Sequence, residues 1–220
     1  GRMAWLPDST LLFGMGDGNL ERTDAQRLHT HLGKLMRIHP DGRVPADNPF
    51  VKRAGALPEI YSYGHRNPQG VVVANGMAYA HEHGARGGDE LNRIEPGANY
   101  GWPITTGGID YTYARIAPYR SLPGITPPLV EWTPSIAPAG LSVYDGTLFP
   151  AWSGSLLVAA LAERSVRRVP MINGVPGPQD LLFQELGERI RDVRAGPDGA
   201  VYLLTDKPEG RLLRVVPATP

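Results

Sequence analysis

The segment Lys34-Leu35-Met36-Arg37-Ile38-His39-Pro40 is the best indicator of the fold, because its pattern occurs four times along the 220 residues. In each copy an apolar residue lies two positions before an arginine, another follows the arginine, and a proline ends the strand. The other copies are Glu90-Leu91-Asn92-Arg93-Ile94-Glu95-Pro96, Ser165-Val166-Arg167-Arg168-Val169-Pro170 and Arg211-Leu212-Leu213-Arg214-Val215-Val216-Pro217. A further apolar segment precedes each copy, at residues 10–17, 76–80, 155–160 and 200–205. The sequence therefore predicts four strand pairs, each with one buried and one solvated face.

The spacing of these pairs favours a β-propeller. Their arginines stand at positions 37, 93, 168 and 214, and such irregular recurrence is typical of blades of about 40–50 residues with loop insertions. A β-sandwich is the alternative, but four similar hairpins favour the propeller. With 27 glycines and 22 prolines, long helices are not expected. We predict an all-β fold forming a single domain over residues 1–220, with long loops over residues 97–138 and a short helical turn within residues 18–33.

Composition narrows the function classes. The 22 basic residues balance the 22 acidic residues, and no cysteine occurs. A neutral chain has no net field that favours nucleic acid or an anionic membrane. The absence of cysteine excludes a disulfide scaffold, a zinc–thiolate site and a thiol nucleophile. No apolar run approaches the roughly 20 residues of a membrane span.

Two glycine-rich segments carry the side chains best suited to chemistry. They are Tyr63-Gly64-His65-Arg66-Asn67-Pro68-Gln69-Gly70 and His81-Glu82-His83-Gly84-Ala85-Arg86-Gly87-Gly88-Asp89-Glu90. Glycine turns expose backbone carbonyls and fix side-chain directions, which suits a polyanionic cofactor and a hard cation. Loops of a propeller gather around its central channel. We therefore expect one binding face formed by Asp17, by Arg66 with Asn67 and Gln69, by His83-Gly84-Ala85, and by Arg189-Ile190-Arg191-Asp192.

Arg189 and Arg191 alternate along a predicted strand, so their side chains share one face. Two adjacent guanidiniums repel each other unless an anion lies between them, and carboxylates are good bidentate partners of arginine. Two alternatives stay open from the spacing. Either a ligand carboxylate binds the pair, or Asp192 and Glu188 neutralise it on a solvated surface.

Two sets of residues are candidates for metal binding. Asp89 and Glu90 follow two glycines and place hard oxygen ligands beside free carbonyls, which suits calcium. His81 and His83 share one strand face and would bind zinc together with His65. No other metal-binding spacing supports zinc, and ordinary hydrogen-bonded histidines are the favoured alternative.

Trp102 and Trp132 lie near prolines in predicted loops. Each either forms the wall of a sugar or aromatic-ring site or covers the core. No Gly-x-Ser-x-Gly elbow, Ser-x-x-Lys pair, dinucleotide-binding glycine motif or phosphate-binding Gly-Lys-Ser/Thr loop occurs. Nicotinamide and nucleotide enzymes are therefore not expected.

Over essentially its whole length the sequence resembles the soluble pyrroloquinoline-quinone (PQQ) dependent sugar dehydrogenases, the glucose/sorbosone or aldose sugar dehydrogenase family. The most specific strings are Gly64-His65-Arg66-Asn67-Pro68-Gln69-Gly70 and Asn99-Tyr100-Gly101-Trp102-Pro103. Further matching strings are Leu32-Gly33-Lys34-Leu35-Met36-Arg37-Ile38, Asp47-Asn48-Pro49, Gly87-Gly88-Asp89-Glu90-Leu91-Asn92, Ile136-Ala137-Pro138 and Arg189-Ile190-Arg191-Asp192-Val193.

The resemblance implies a six-bladed β-propeller of the quinoprotein glucose dehydrogenase type, with about four to five blades in this chain and N-terminal blades missing. It implies PQQ and Ca²⁺ as cofactors over the channel mouth. Arg66 and Asn67 match residues that contact the quinone oxygens, and Gln69 is assigned to the cofactor with them. Arg66 is also assigned a catalytic role. Arg189 and Arg191 match arginines that engage PQQ carboxylates.

The resemblance also implies the metal and substrate residues. Gly84 and Ala85 match positions whose carbonyls hold calcium, and His83 matches an adjacent ligand. Asp89 and Glu90 belong to the acidic pair of the same motif and are assigned to the metal. A looser match assigns Trp132 to the substrate.

Two departures from the family pattern stand out. A lysine that helps to hold PQQ in glucose-specific members aligns with Ala162. The catalytic base of the family is a histidine a few residues before a Gly-Arg-Leu/Met string, and this chain begins with Gly1-Arg2-Met3. We expect the general base to lie upstream of Gly1.

The expected function is PQQ- and calcium-dependent oxidation of aldose sugars at C1 to the lactone, with hydride passing to PQQ. The alternatives are a non-catalytic propeller that binds a ligand or protein partner, and a calcium-dependent lactonase-like hydrolase. Expected partners are an aldose, an external electron acceptor and a second copy of the chain in a homodimer. A periplasmic or secreted location follows from the family alone.

Overall fold

The structure is a computed structural model that describes residues 2–19 and 21–218. It consists of β-strands and loops with three short 3₁₀ turns among the described residues. The chain divides into two compact units, Gly1–Ser135 and Ile136–Pro220, and each is described by itself. The single domain expected over residues 1–220 stays a prediction. No helix in the described part of the chain is long and apolar enough to span a membrane.

The first unit contains two four-stranded antiparallel sheets, each in sequence order. The first consists of β1 (Met3–Trp5), β2 (Leu11–Met15), β3 (Lys34–Ile38) and β4 (Ile60–Tyr63). The second consists of β5 (Pro68–Ala74), β6 (Met77–Glu82), β7 (Asp89–Ile94) and β8 (Val130–Trp132). Their facing surfaces form one core, in which Leu12 and Leu35 of the first sheet pack with Val71, Ala78 and Ala80 of the second.

The second unit contains a four-stranded sheet, a three-stranded sheet and a small hairpin. The four-stranded sheet has the order β14 (Asp180–Leu182), β11 (Ser165–Val169), β10 (Leu156–Ala160), β9 (Pro138–Val143), and β12 (Met171–Ile172) with β13 (Val175–Pro176) forms the hairpin. The three-stranded sheet consists of β15 (Ile190–Ala195), β16 (Val201–Thr205) and β17 (Leu212–Val215). Leu157, Ala159, Ile190 and Val193 are part of the core between these two sheets.

The four predicted strand pairs are confirmed as β2–β3, β6–β7, β10–β11 and β16–β17, all antiparallel. The prediction of one solvated face per strand is wrong for β3, where residues 34–37 are all buried. Leu35 packs on the neighbouring sheet, whereas the adjacent Lys34 lies under the β2–β3 loop and donates to its carbonyls at Asp24 and Leu32. The β2–β3 loop therefore covers the face of β3 that the alternating pattern predicts to be solvated.

Three loops of the first unit meet at one end of its sheets. The β2–β3 loop contains the predicted helical turn, as a 3₁₀ helix over Arg22–Gln26. Its Asp17 N–H donates to the Arg66 carbonyl at 2.9 Å, and the His83 N–H of the β6–β7 turn donates to the Asn67 carbonyl at 3.2 Å. The prediction of long loops over residues 97–138 is confirmed for residues 97–129, which contain no strand in the described chain, but β8 lies within the rest of that range. The loop brings Trp102 and Tyr111 to the same end.

Candidate functional site

Arg66 is the centre of the site in the first unit. Its side chain is buried, with the residue 8% exposed, and its Nη1 donates to the carbonyls of Gly84 at 2.5 Å and His83 at 3.3 Å. The guanidinium carbon lies 5.3 Å from the ring centroid of Trp102 and 5.9 Å from that of Tyr111. A guanidinium held between aromatic rings and carbonyl oxygens is a fixed positive charge of low mobility.

Trp102 is held in place by Asp17. The indole Nε1 donates to Asp17 Oδ2 at 2.7 Å, and Asp17 Oδ1 accepts from the Asn19 N–H at 2.8 Å. Trp102 is 4% exposed, so it covers the core as one alternative stated, while its ring also contacts Arg66. Asp17 therefore acts as a support of the aromatic wall.

The two predicted amide side chains lie beside Arg66 and contact each other. Gln69 Nε2 donates to Asn67 Oδ1 at 2.9 Å. Asn67 follows Arg66 directly, and its carbonyl accepts from the β6–β7 turn. The structure thus brings together Asp17, Arg66, Asn67, Gln69 and the His83-Gly84-Ala85 turn.

Glu82, which the sequence pattern does not single out, lies beneath Arg66 and Asn67. Its Oε2 accepts from the N–H groups of Arg66 at 2.5 Å and of Asn67 at 3.3 Å. Its Oε1 accepts from His65 Nδ1 at 2.8 Å and from Asn92 Nδ2 at 3.3 Å. The signal in sequence is weak, because Glu82 is one acidic residue among 22 and its role depends on strand register.

His65 is engaged by hydrogen bonds at both ring nitrogens. Besides Glu82, its Nε2 bonds with Ser62 Oγ at 2.9 Å, and the ring stacks on Tyr100 with centroids 4.7 Å apart. The ring is fully buried. The favoured alternative, an ordinary hydrogen-bonded histidine, is confirmed for His65, and a zinc ligand at this position is wrong.

Glu90 faces Glu82 across the β6–β7 pair, where the two residues are register partners. Burial and the Glu82 charge raise the pKa of Glu90 to about 8. Glu82 has four hydrogen-bond donors, whereas Glu90 Oε2 accepts from Asn92 Nδ2 at 3.1 Å. The two carboxylates line a cavity of about 10 Å³ together with Tyr100 and Thr105. Glu90 is therefore the carboxyl of the pair that takes up a proton near neutral pH.

The β6–β7 turn leaves no room for a side chain at Gly84. A Cβ at Gly84 would lie 2.1 Å from the Gly87 carbonyl oxygen and 2.4 Å from that of Gly88. The Gly84 N–H donates to Asp89 Oδ1 at 2.9 Å, and Ser135 Oγ donates to Asp89 Oδ2 at 2.6 Å. Because both oxygens of Asp89 accept hydrogen bonds, the structure gives this carboxylate a supporting role in the turn.

The described residues contain no group of three or more histidine, aspartate or glutamate side chains arranged to hold a metal. The calcium ligands predicted at His83, Gly84, Ala85, Asp89 and Glu90 thus depend on the backbone carbonyls of Gly84 and Ala85. Their assignment to calcium stays a prediction.

Trp132 lies at the end of β8 and is 5% exposed. Its carbonyl accepts from the Gly88 N–H at 3.0 Å. A buried indole of this kind covers the core, which is the second alternative stated for it. Its assignment to the substrate has no support in this geometry.

In the second unit Arg189 directly precedes β15 and Arg191 lies within it, and one carboxylate contacts both side chains. Asp206 Oδ2 accepts from Arg189 Nε at 2.8 Å, and Asp206 Oδ1 accepts from Arg191 Nη2 at 2.9 Å. These hydrogen bonds hold the pKa of Asp206 below its usual range. The predicted neutralising residues are wrong: Glu188 pairs with Lys207 and Arg211, and Asp192 pairs with Arg194.

One carboxylate between two guanidiniums leaves one net positive charge. Both arginine side chains are nearly half exposed, so their remaining N–H groups are open to an anion. Ala162, also in this unit, is exposed and donates its N–H to the Ile136 carbonyl at 3.0 Å. It offers no charge to replace the lysine of the family pattern. Gly1, next to the expected upstream base, lies outside the described residues.

A family model described as glucose/sorbosone dehydrogenase matches residues 1–214. The chain belongs to this family. An uncharacterised protein of Synechocystis sp. is 46% identical, over 97% of this chain and 55% of its own length. The aldose sugar dehydrogenase of Escherichia coli is 40% identical, over 99% of this chain and 59% of its own length. The chain thus spans somewhat more than half the length of these two relatives.

Solved structures of the family share the fold. A glucose dehydrogenase crystal structure superposes with a TM-score of 0.96 at 44% identity, covering 99% of this chain and 64% of that one. The PQQ-bound form of the aldose sugar dehydrogenase of Streptomyces coelicolor superposes with a TM-score of 0.78 at 28% identity, covering 98% and 60%. The predicted fold class is confirmed: the sheets are blades of an all-β propeller of the glucose dehydrogenase type.

Proposed function

We propose that this chain is part of a PQQ- and calcium-dependent dehydrogenase that oxidises aldose sugars at C1 to the lactone. The observation that carries the proposal is the Arg66 site, a buried cation on a glycine turn in a chain that belongs to the glucose/sorbosone dehydrogenase family. A relative with PQQ bound, at 28% identity, supports the choice of cofactor. Because the chain spans little more than half of its relatives, the activity is proposed for the whole protein.

The residues present fit a planar, polyanionic quinone. The Arg66 guanidinium supplies positive charge beside the rings of Trp102 and Tyr111, a combination that suits a flat anion. Asn67 and Gln69 add amide groups at the same place. In the second unit the Arg189–Arg191 pair has one net positive charge and unused N–H donors, which fits a carboxylate.

Calcium fits the chemistry of the turn. Ca²⁺ takes oxygen ligands and accepts backbone carbonyls, and the carbonyls of Gly87 and Gly88 converge on Gly84. The Gly84 carbonyl already accepts from Arg66 Nη1 at 2.5 Å. A carbonyl oxygen has two lone pairs, so Gly84 can keep this hydrogen bond and still offer an electron pair to calcium. Because the guanidinium and the cation are both positive and share this oxygen, the affinity for calcium is expected to depend on the charge of Arg66.

PQQ, when bound, supplies the acceptor for the two electrons that leave the sugar. The protein's part is to hold fixed charges and dipoles where negative charge increases. Arg66 suits this task because its side chain is anchored by two carbonyls and two rings before any ligand arrives. Asn67 and Gln69 are expected to orient the cofactor. The general base stays the upstream histidine that the resemblance implies.

The test is a titration of the full-length protein with PQQ in the presence and absence of calcium, followed by excess aldose. The absorbance of the quinone is recorded throughout. Calcium-dependent binding with bleaching on sugar addition is the expected result. Binding without bleaching removes the proposed oxidation, and failure to bind PQQ favours a non-catalytic propeller. Hydrolysis of a sugar lactone without PQQ would favour the lactonase alternative.

Arg66→Ala is expected to lose most turnover while PQQ still binds, because the other arginines and the aromatic walls remain. Arg43→Ala is the matched control, since Arg43 is an exposed arginine of the same unit paired with Asp41. Unchanged turnover in Arg66→Ala would exclude the role proposed for this residue. An external electron acceptor and a homodimer accompany the proposal, and a periplasmic or secreted location follows from the family.

A further inference from the structure

Glu82 is a buried carboxylate at the end of β6 that the proposed reaction does not use. The residue is 5% exposed, and both of its oxygens accept two hydrogen bonds. A buried carboxylate is costly unless donors surround it. Here the donors include the backbone N–H groups of two consecutive residues, Arg66 and Asn67, which are the two predicted contacts of the quinone oxygens.

We propose that Glu82 is the positioning residue of the cofactor site, fixing the backbone from which Arg66 and Asn67 project. What these two residues bind rests on the proposed function, but their positioning by Glu82 is a property of the protein alone. Charge-assisted hydrogen bonds from backbone N–H to carboxylate are stronger than neutral ones. The 2.5 Å bond from the Arg66 N–H is therefore a principal constraint on the direction of this side chain.

The same strand end holds Arg66 at both ends. Glu82 accepts from its backbone N–H, and the next two residues, His83 and Gly84, accept from its guanidinium. The position of the guanidinium is thus set relative to β6 at two points. Glu82 holds the backbone of Arg66, and the carbonyls of the next two residues hold its side chain. A shift of the Glu82 carboxylate moves the Arg66 backbone away from the turn that binds its side chain.

A second layer fixes the orientation of the Glu82 carboxylate. His65 Nδ1 and Asn92 Nδ2 donate to Oε1, and His65 is itself held by Ser62 and by stacking on Tyr100. All four donors therefore require an acceptor. If either oxygen of Glu82 were replaced by an N–H group, that group would face at least one of these donors. Glu82→Gln, although equal in size, places an amide NH₂ against donors on one side.

The test compares Glu82→Gln and Glu82→Asp with the wild-type protein by three measurements. They are the amide proton shifts of Arg66 and Asn67 in ¹H–¹⁵N spectra, the Kd for PQQ with calcium, and aldose turnover. Both variants are expected to move the Arg66 amide resonance upfield, because the short bond to the carboxylate is lost. PQQ affinity is expected to fall about tenfold, a loss of about 1.4 kcal/mol. Aldose turnover is expected to fall by a larger factor, because Arg66 is proposed to act on turnover more than on affinity.

Asn48→Ala is the matched control, because Asn48 is a buried polar residue of the same unit that bonds the carbonyls of Arg37 and Pro58. It is expected to lower the melting temperature with unchanged PQQ affinity. The proposal is overturned if the Glu82 variants keep the Arg66 amide shift and the PQQ affinity. It is also overturned if Asn48→Ala loses as much PQQ affinity as they do.

Two further outcomes separate the possibilities. If the wild-type protein does not bind PQQ, the proposed function fails, while the amide shifts still decide whether Glu82 positions Arg66. If Glu82→Gln does not fold, Glu82→Asp decides, because it keeps the charge and withdraws it from the Arg66 N–H by one methylene. A folded Glu82→Asp with wild-type affinity and shifts refutes the positioning role.

Discussion

The carboxylate pair of β6 and β7 makes the stability of the ligand-free protein depend on pH. Burial and the neighbouring Glu82 charge raise the pKa of Glu90 to about 8, from 4.5. Below pH 4.5 Glu90 is protonated in the folded and the unfolded state, and its contribution to stability is fully present. As pH rises towards 8, the unfolded state releases the proton while the folded state keeps it, so stability is lost.

The magnitude follows from the two pKa values. Their difference corresponds to at most about 5 kcal/mol, at about 1.4 kcal/mol for each factor of ten. Glu90 is partly exposed, and solvent screening reduces the repulsion, so we expect about 2 kcal/mol. Glu90→Gln is permanently neutral. Its free energy of unfolding should equal that of the wild type near pH 4.5 and exceed it by about 2 kcal/mol at pH 8.5.

The assay is urea unfolding with a calcium chelator at intervals from pH 4.5 to 8.5. Glu95→Gln is the control, since Glu95 is an exposed carboxylate in an ion pair with Arg93 on the same strand segment. A difference between Glu90→Gln and wild type that stays constant over this range would refute the argument. Added calcium offers a second check: if Glu90 contributes to a calcium site, calcium should stabilise the wild type at pH 8 more than Glu90→Gln.

Three further predictions concern other groups. Gly84→Ala should cost more than about 2 kcal/mol of stability and weaken PQQ binding, because the added Cβ would lie 2.1 and 2.4 Å from carbonyl oxygens. Thermal unfolding measures the loss of stability. Gly177→Ala is the control, since a Cβ at Gly177 makes only ordinary contacts. Asp206→Asn should lower the free energy of unfolding by less than about 1 kcal/mol, because its ion pairs are exposed. It should strengthen PQQ binding several-fold, because the carboxylate that neutralises one of the two arginines is removed. Weaker PQQ binding in a titration would contradict the anion-binding role proposed for Arg189. Burial lowers the pKa of Lys34 to about 8, from 10.5. As pH rises from 8 to 10.5, the wild type should therefore gain up to about 3 kcal/mol of stability relative to Lys34→Met. Urea unfolding measures this, and parallel plots of unfolding free energy against pH for the two proteins would contradict it.

Local pattern was enough to predict the strand pairs. The apolar–arginine–apolar pattern around Arg37 and Arg93 marks the second strand of a pair wherever it occurs, and the structure pairs each with the segment before it. Alternation did not predict which faces are buried. Leu35 and Lys34 are both inaccessible to solvent, because the neighbouring sheet covers Leu35 and the β2–β3 loop covers Lys34. The sequence of β3 alone does not reveal either contact.

The partners of charged residues depend on register, which the sequence does not reveal. One of the two alternatives paired Arg189 and Arg191 with acidic residues adjacent in sequence, but β15 pairs with β16 so that Ile190 lies opposite Thr205. This register brings Asp206 between the two arginines. Glu82 was missed for the same reason, since its contact with Arg66 arises from the antiparallel pairing of β5 with β6.

The two cationic features differ in a way that suggests different roles. Arg66 is buried and anchored at its backbone and its guanidinium, so little reorganisation is needed when a nearby charge changes, which is the condition for electrostatic stabilisation of a transition state. Arg189 and Arg191 are exposed and share a carboxylate, so water and Asp206 screen them before and after any reaction. Such a pair suits a charge that is permanent, such as a cofactor carboxylate. Substitution of Arg66 should therefore lower turnover more than affinity, whereas substitution of Arg189 or Arg191 should lower affinity more than turnover.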